Sequence, residues 1–109
     1  MPLQEASPIY SDLGGDADMA ELVEEFVTCL QQRVAALNTA VEGENLGEVT
    51  RLAHQLKGAS GGYGFAVLGT AAAQLETAGK AAASVAQVHD EVENLVDLCR
   101  RARAGTPPT

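Results

Sequence analysis

Tryptophan is absent from this sequence, and two tyrosines and two phenylalanines are its only aromatic residues, although 46% of its 109 residues are apolar. A core with so few large rings is built from Leu, Val and Ala. That composition suits packed helices better than a sheet, where aromatic and β-branched residues concentrate. Basic residues are scarce as well: 7 Lys and Arg against 15 Asp and Glu leave a net charge of −8. This balance argues against a nucleic-acid backbone or an anionic membrane surface as partner. Cysteine is limited to Cys29 and Cys99. Each falls inside an apolar helical pattern with no CxxC or Cys/His spacing, so both are expected as small buried thiols, not as a disulfide or metal site. No apolar stretch approaches membrane-spanning length, and no basic region followed by an apolar run opens the chain. A reduced, soluble, cytoplasmic protein is the default expectation, with room for one domain and one core.

What is present is helical periodicity. Residues 1–15 carry Pro2, Pro8 and Gly14-Gly15 and read as a lead-in, with Ile9, Tyr10 and Leu13 available to pack on the body of the protein. Asp16 or Asp18 is placed to cap a first helix from Ala17 to Val41, in which Leu22, Val23, Phe26, Val27, Leu30, Val34 and Leu37 recur at helical spacing. Gly43 breaks it. Asn45 with Glu48 is a capping-box pattern for a second helix, which Gly61-Gly62-Tyr63-Gly64 should end. A third helix spans Phe65 to Gly79. A fourth opens on Ser84 with Gln87 and closes on Arg100, Arg101 and Arg103, cations that suit the negative end of a helix dipole. Short links between four amphipathic helices imply an all-α, antiparallel up-and-down four-helix bundle over residues 16–104, followed by a disordered tail at 105–109.

The second helix carries the informative residue. On its helical wheel His54 points about 145° away from the centre of the apolar arc, and therefore to solvent. Gly47, Thr50, Gly58 and Gly61 all fall within about 40° of it. Each interior glycine costs a helix about 1 kcal/mol relative to alanine, so three around one exposed imidazole give up stability to keep that surface low. Bare backbone there lets another protein's site approach closely. Lys57, one turn on, provides a cation where an anion on the imidazole would sit, and Arg51 is a more peripheral second one. The ordinary readings are helix packing or fraying for Gly58 and Gly61, and simple solvation for Lys57 and Arg51. His89 stands in an acidic stretch with no glycine or basic company and reads as a surface histidine.

Ala53-His54-Gln55-Leu56-Lys57-Gly58, with Gly64 after five intervening residues, then Leu68 and Leu75-Glu76, resembles the signature of histidine-containing phosphotransfer (HPt) domains. The signature covers residues 53 to 76, and the order of four helices fits nearly all the rest. The family fold is a four-helix bundle, often with a short N-terminal helix that Pro8 to Leu13 could supply. The resemblance implies a phosphorelay carrier with no ATP or metal site of its own. Its histidine takes a phosphoryl group from a receiver-domain aspartate or a histidine kinase and passes it to a response-regulator receiver, which brings the Mg²⁺. Carried across, His54 is the phosphoacceptor, Lys57 stabilises the phosphoryl oxygens and Gly58 gives clearance. Gly61, Gly47, Thr50 and Arg51 complete the approach surface of what is expected to be a monomer. In the related phosphotransfer domain of chemotaxis kinases, a third-helix glutamate hydrogen-bonds the imidazole. Glu76 matches that position, and the alternative for it is a solvated helix residue.

A different class of function is a helical adaptor that binds partners without covalent chemistry. It would rather present aromatic or other large anchors than glycine beside a histidine. A haem or di-iron bundle would need inward-facing ligands or a Glu-x-x-His pair, and Thr50 and Arg51 stand where such a carboxylate would help His54.

Overall fold

A computed structural model describes residues 7–107. Four helices dominate: α1 (Ala20–Glu42), α2 (Leu46–Gly62), α3 (Ala66–Ala81) and α4 (His89–Arg101). Consecutive helices pack on one another and α4 returns to α1, closing the expected bundle. With links of only a few residues between α1, α2 and α3, neighbours run antiparallel. The interior is aliphatic, as the lack of rings required. Leu30, Leu37, Leu56, Leu68, Leu75 and Leu95 are almost wholly buried. No helix among the described residues is long and apolar enough to cross a membrane.

Helix α2 starts where its cap was expected: the Asn45 side chain accepts a hydrogen bond from the Glu48 N–H at 3.1 Å. The other two starts differ from expectation. Met19 precedes α1 without a side-chain cap, because Asp16 Oδ1 accepts instead from the Asp18 N–H within the preceding turn. Ser84 does not cap α4 either. A short 3-10 turn, Val85–Val88, intervenes, and Gln87 reaches back to the Ala83 N–H at 2.6 Å.

The expected lead-in helix at Pro8–Leu13 is not formed. Ile9–Tyr10 is a short strand, β1, paired parallel with β2, Ala102–Arg103. A six-residue stretch is too short to hold a helix by itself, and here its polar groups find partners elsewhere. Ser11 Oγ donates to the Tyr63 carbonyl at 2.6 Å, and the Asp12 N–H donates to the Gly64 carbonyl at 3.0 Å. The segment thus clamps the α2–α3 turn. Gly64 has φ +84 there, and a Cβ on it would strike Ser11 Oγ. Phe26 stacks on Tyr63, ring centroids 4.9 Å apart, and lies 5.7 Å from Phe65, so α1 seals the same turn from the other side. Of the lead-in and tail set apart in the sequence, residues 1–6 and 108–109 lie outside the described residues.

Cys29 also departs from expectation. It is exposed, lying about 90° from the centre of the Val23, Phe26, Leu30 and Leu37 stripe, whereas Cys99 is buried. Burial pushes the Cys99 thiol up to about 11.

The tightest helix pair is α2 against α3, and Gly79 of α3 sets its spacing at one end. A Cβ on Gly69 would lie 3.5 Å from the Lys57 carbonyl oxygen, and one on Gly79 would collide with Thr50 Oγ1. The missing side chain at Gly79 lets the two backbones approach until side chains at the edge of one helix reach those of the other, whereas a Cβ at Gly69 would make only an ordinary contact.

Candidate functional site

His54 stands on α2 with 65% of its side chain exposed, and Nδ1 lies 2.7 Å from Glu76 Oε2 on α3. Glu76 is no solvated residue: its side chain is 7% exposed, tucked between the helices beside Leu75. Lys57 Nζ, one turn beyond His54, lies 2.7 Å from Glu76 Oε1. Lys80 Nζ, one turn beyond Glu76, lies 3.3 Å from Oε2. One buried carboxylate therefore holds an imidazole and two ammonium groups. Lys57 and then His54 hold its pKa down at about 2, against the opposing effect of burial, with Lys80 a smaller contributor.

This arrangement fixes the chemistry of the ring. An ionised carboxylate only accepts hydrogen bonds, so Nδ1 carries the proton and the neutral imidazole keeps its lone pair on Nε2. Nε2 has no partner among the described residues. The carboxylate–imidazole pair also sets the ring's orientation, as such pairs do around histidine ligands of metals. A ring nitrogen with a free lone pair is thereby held at an exposed surface, steadied from behind.

The α2 glycines lie on open ground. A Cβ on Gly58 or Gly61 would meet nothing within 4 Å, so neither is there for helix packing; Gly62 is equally open. Gly47 lies two turns back, where a Cβ would meet only Asn45 Oδ1 at 3.8 Å. The remaining two residues of the expected approach surface are occupied otherwise. Thr50 is turned into the α2–α3 contact against Gly79, with its Oγ1 bonded to the Leu46 carbonyl at 2.9 Å. Arg51 pairs with Glu48, Nε to Oε1 at 2.8 Å, and takes no part in the Glu76 cluster. The structure thus gathers His54, Lys57 and Glu76 beside open Gly58 and Gly61. The sequence reading overlooked Lys80, whose signal was its i+4 spacing from Glu76, the favourable Glu-to-Lys order on a helix.

The family model of the Hpt domain matches residues 21–105, which takes in α2, α3, α4, β2 and all of α1 but its first residue. The chain belongs to the HPt domain family. No curated protein and no solved structure matches it. HPt domains are phosphoryl carriers, not catalysts, and membership gives this chain a phosphotransfer-carrier role in two-component systems, working with histidine kinases and response-regulator receivers. Within the HPt match lie the whole Glu76 cluster and His89, whereas β1 and the Ser11 clamp precede it.

Proposed function

We propose that His54 is the phosphoacceptor, taking a phosphoryl group on Nε2 from a receiver aspartate or a histidine kinase and passing it to a response-regulator receiver. The observation that carries this reading is the 2.7 Å contact from the ring Nδ1 of an exposed histidine to a buried glutamate. In the forward step the Nε2 lone pair attacks phosphorus, and the bond from phosphorus to the aspartyl oxygen breaks with its electron pair left on the aspartate. The ring becomes an imidazolium bearing a dianionic phosphoryl group, with its proton still on Nδ1. Onward transfer is the same step reversed onto a second aspartate. Glu76 faces the positive charge that develops on the ring, and Lys57 faces the charge on the phosphoryl oxygens. Preorganised groups aimed at developing charge are the means by which such transfers are accelerated.

Gly58 and Gly61 leave clearance for the receiver's loops. The Mg²⁺ that phosphoryl transfer uses belongs, in this reading, to the receiver. Glu76, the carboxylate beside His54, is already held by three donors. The reading includes a monomer working in the cytoplasm, a compartment in which free thiols such as Cys29 and Cys99 persist. Incubation with a radiolabelled, phosphorylated receiver and Mg²⁺ tests it. Label should pass to the chain in an acid-labile, base-stable form and should be absent from His54→Gln. Label on that variant would overturn the assignment.

A further inference from the structure

The last turn of α2, residues 59–62, has little of its own to keep it helical. Gly61 and Gly62 are adjacent, and glycine is the weakest helix former after proline. Their outer side is open, with nothing within 4 Å of where a Cβ would stand. Ser60 before them is wholly buried, and its Oγ has no hydrogen-bond partner among the described residues. The bonds that close the turn come from the residues after it. The Tyr63 N–H donates to the Ala59 carbonyl at 3.0 Å, and the Phe65 N–H donates to the Ser60 carbonyl at 2.8 Å. This end of α2 is therefore as steady as the segment from Tyr63 to Phe65.

Ser11 steadies that segment. It is 8% exposed, and its hydroxyl is used in both directions, accepting from the Leu13 N–H at 2.9 Å and donating to the Tyr63 carbonyl at 2.6 Å. The Asp12 N–H adds its bond to the Gly64 carbonyl. Gly61 stands two turns beyond His54 on the same side of α2, ~10 Å along the helix. Stable interfaces cover roughly 800 Å² on each partner, so a receiver seated on His54 reaches this turn. Building on His54 as phosphoacceptor, we infer that Ser11 is a positioning residue for phosphotransfer. Through the Tyr63 carbonyl it keeps the glycine turn of α2 formed before a receiver arrives. A turn that opened would have to be re-formed on docking, and affinity would fall with the fraction of molecules in the closed form. The holding contact comes from a segment that precedes the match to the family model.

The test uses the whole chain with two donors: a phosphorylated receiver, and phosphoramidate, a small molecule that needs no docking surface. In Ser11→Ala, hydrogen exchange followed by NMR should quicken more than about tenfold at the Tyr63 and Phe65 amides, as in local opening. The amide of Leu95, wholly buried in α4, should keep its wild-type rate. The KM for the receiver should rise about three- to fivefold with kcat unchanged, as when the competent turn becomes the minority form. Phosphoramidate should label His54 at the wild-type rate. Ser11→Thr keeps the hydroxyl and should retain wild-type exchange and KM. Unchanged exchange or receiver KM in Ser11→Ala, exchange that quickens equally at Leu95, equal losses with both donors, or a threonine variant no better than alanine would each overturn the role of Ser11. Labelling of His54→Gln by phosphoramidate would instead overturn the phosphoacceptor assignment beneath it.

Discussion

His54 and His89 are almost equally exposed, at 65% and 63% of the side chain, and each stands beside a glutamate. The glutamates differ. Glu93 is the i+4 neighbour of His89 on α4, is itself 69% exposed and lies 3.5 Å away. Glu76 reaches His54 from another helix, is 7% exposed and lies at 2.7 Å. His89 even has the better concavity, an open groove of about 350 Å³ between α1 and α4 lined by Asn38, Val41, Val92 and Val96. What it lacks is a partner that cannot move and a lysine to share. A surface pair on one helix turn contributes little and holds no geometry against solvent. A carboxylate wedged between two helices aims the ring and fixes its tautomer. What separates the two histidines is therefore the burial of the partner glutamate, 7% against 69% exposed, and not their own exposure.

The strongest way to break this contrast is to remove each imidazole in turn. His54→Gln should accept no phosphoryl group, whereas His89→Gln should accept it at the wild-type rate. Both should stay within about 0.5 kcal/mol of wild-type stability, as exposed substitutions usually do. Exchanged phenotypes would move the site to the α1–α4 groove.

Lys57→Ala should slow transfer about ten- to a hundredfold, at or below the effect of removing one preorganised donor from a developing oxyanion. Its effect on receiver affinity should be smaller, since the full charge is met only during transfer and on phosphohistidine. Rapid-quench transfer rates set against a binding titration measure the difference. Equal losses would make Lys57 a docking contact.

Glycines on facing helices sharpen the contrast between approach surface and packing. Gly58→Leu should raise stability by up to ~1 kcal/mol through helix propensity yet slow transfer several-fold by covering the ring. Gly79→Ala should cost about 1–3 kcal/mol by overpacking against Thr50. Thermal melts and transfer rates on the two variants check both signs. A harmless Gly79→Ala would mean that Thr50 yields and that this glycine does not set the α2–α3 spacing.

The last comparison is of acid stability. The Glu76 pKa is about 2 when folded against an ordinary 4.5, so its stabilisation is complete above about 4.5 and is lost as pH falls toward 2. Glu76→Gln should flatten the stability profile across that window. Glu48, also lowered, by exposed Arg51, acts in the same window, but solvent screens that pair, and Glu48→Gln should flatten the profile less. Urea midpoints measured from pH 5 to pH 2 compare the variants.

The helices were legible because their signals are local. The Asn45–Glu48 cap, the apolar stripe of α2 and the glycine run after it lie within one stretch of chain, and so does the angle that puts His54 on the solvent side. The resemblance that named Lys57, Gly58 and Glu76 is read along the same stretch. The pairing of β1 with β2 was not legible. It joins two-residue segments from opposite ends of the chain, and its support comes from Ser11 and Asp12 meeting the α2–α3 turn. Cys29 was misplaced because a position at the edge of an apolar stripe is buried or exposed according to the neighbouring helix, not to its own periodicity.

Composition, periodicity and capping thus determined by themselves that this chain forms four amphipathic helices and that one of them turns a histidine, a lysine and bare glycine outward. Whether Glu76 was a solvated residue or the anchor of that histidine was left open, because the sequence places it at the border of the α3 stripe. The tertiary structure decided it through the spacing of two helices. Gly79 lets α3 come close enough to α2 at Thr50 for the carboxylate to sink between the helices and meet His54, Lys57 and Lys80 at once. A distance between backbones far apart in sequence is set by what all the packed side chains allow together, and no single stretch of residues encodes it.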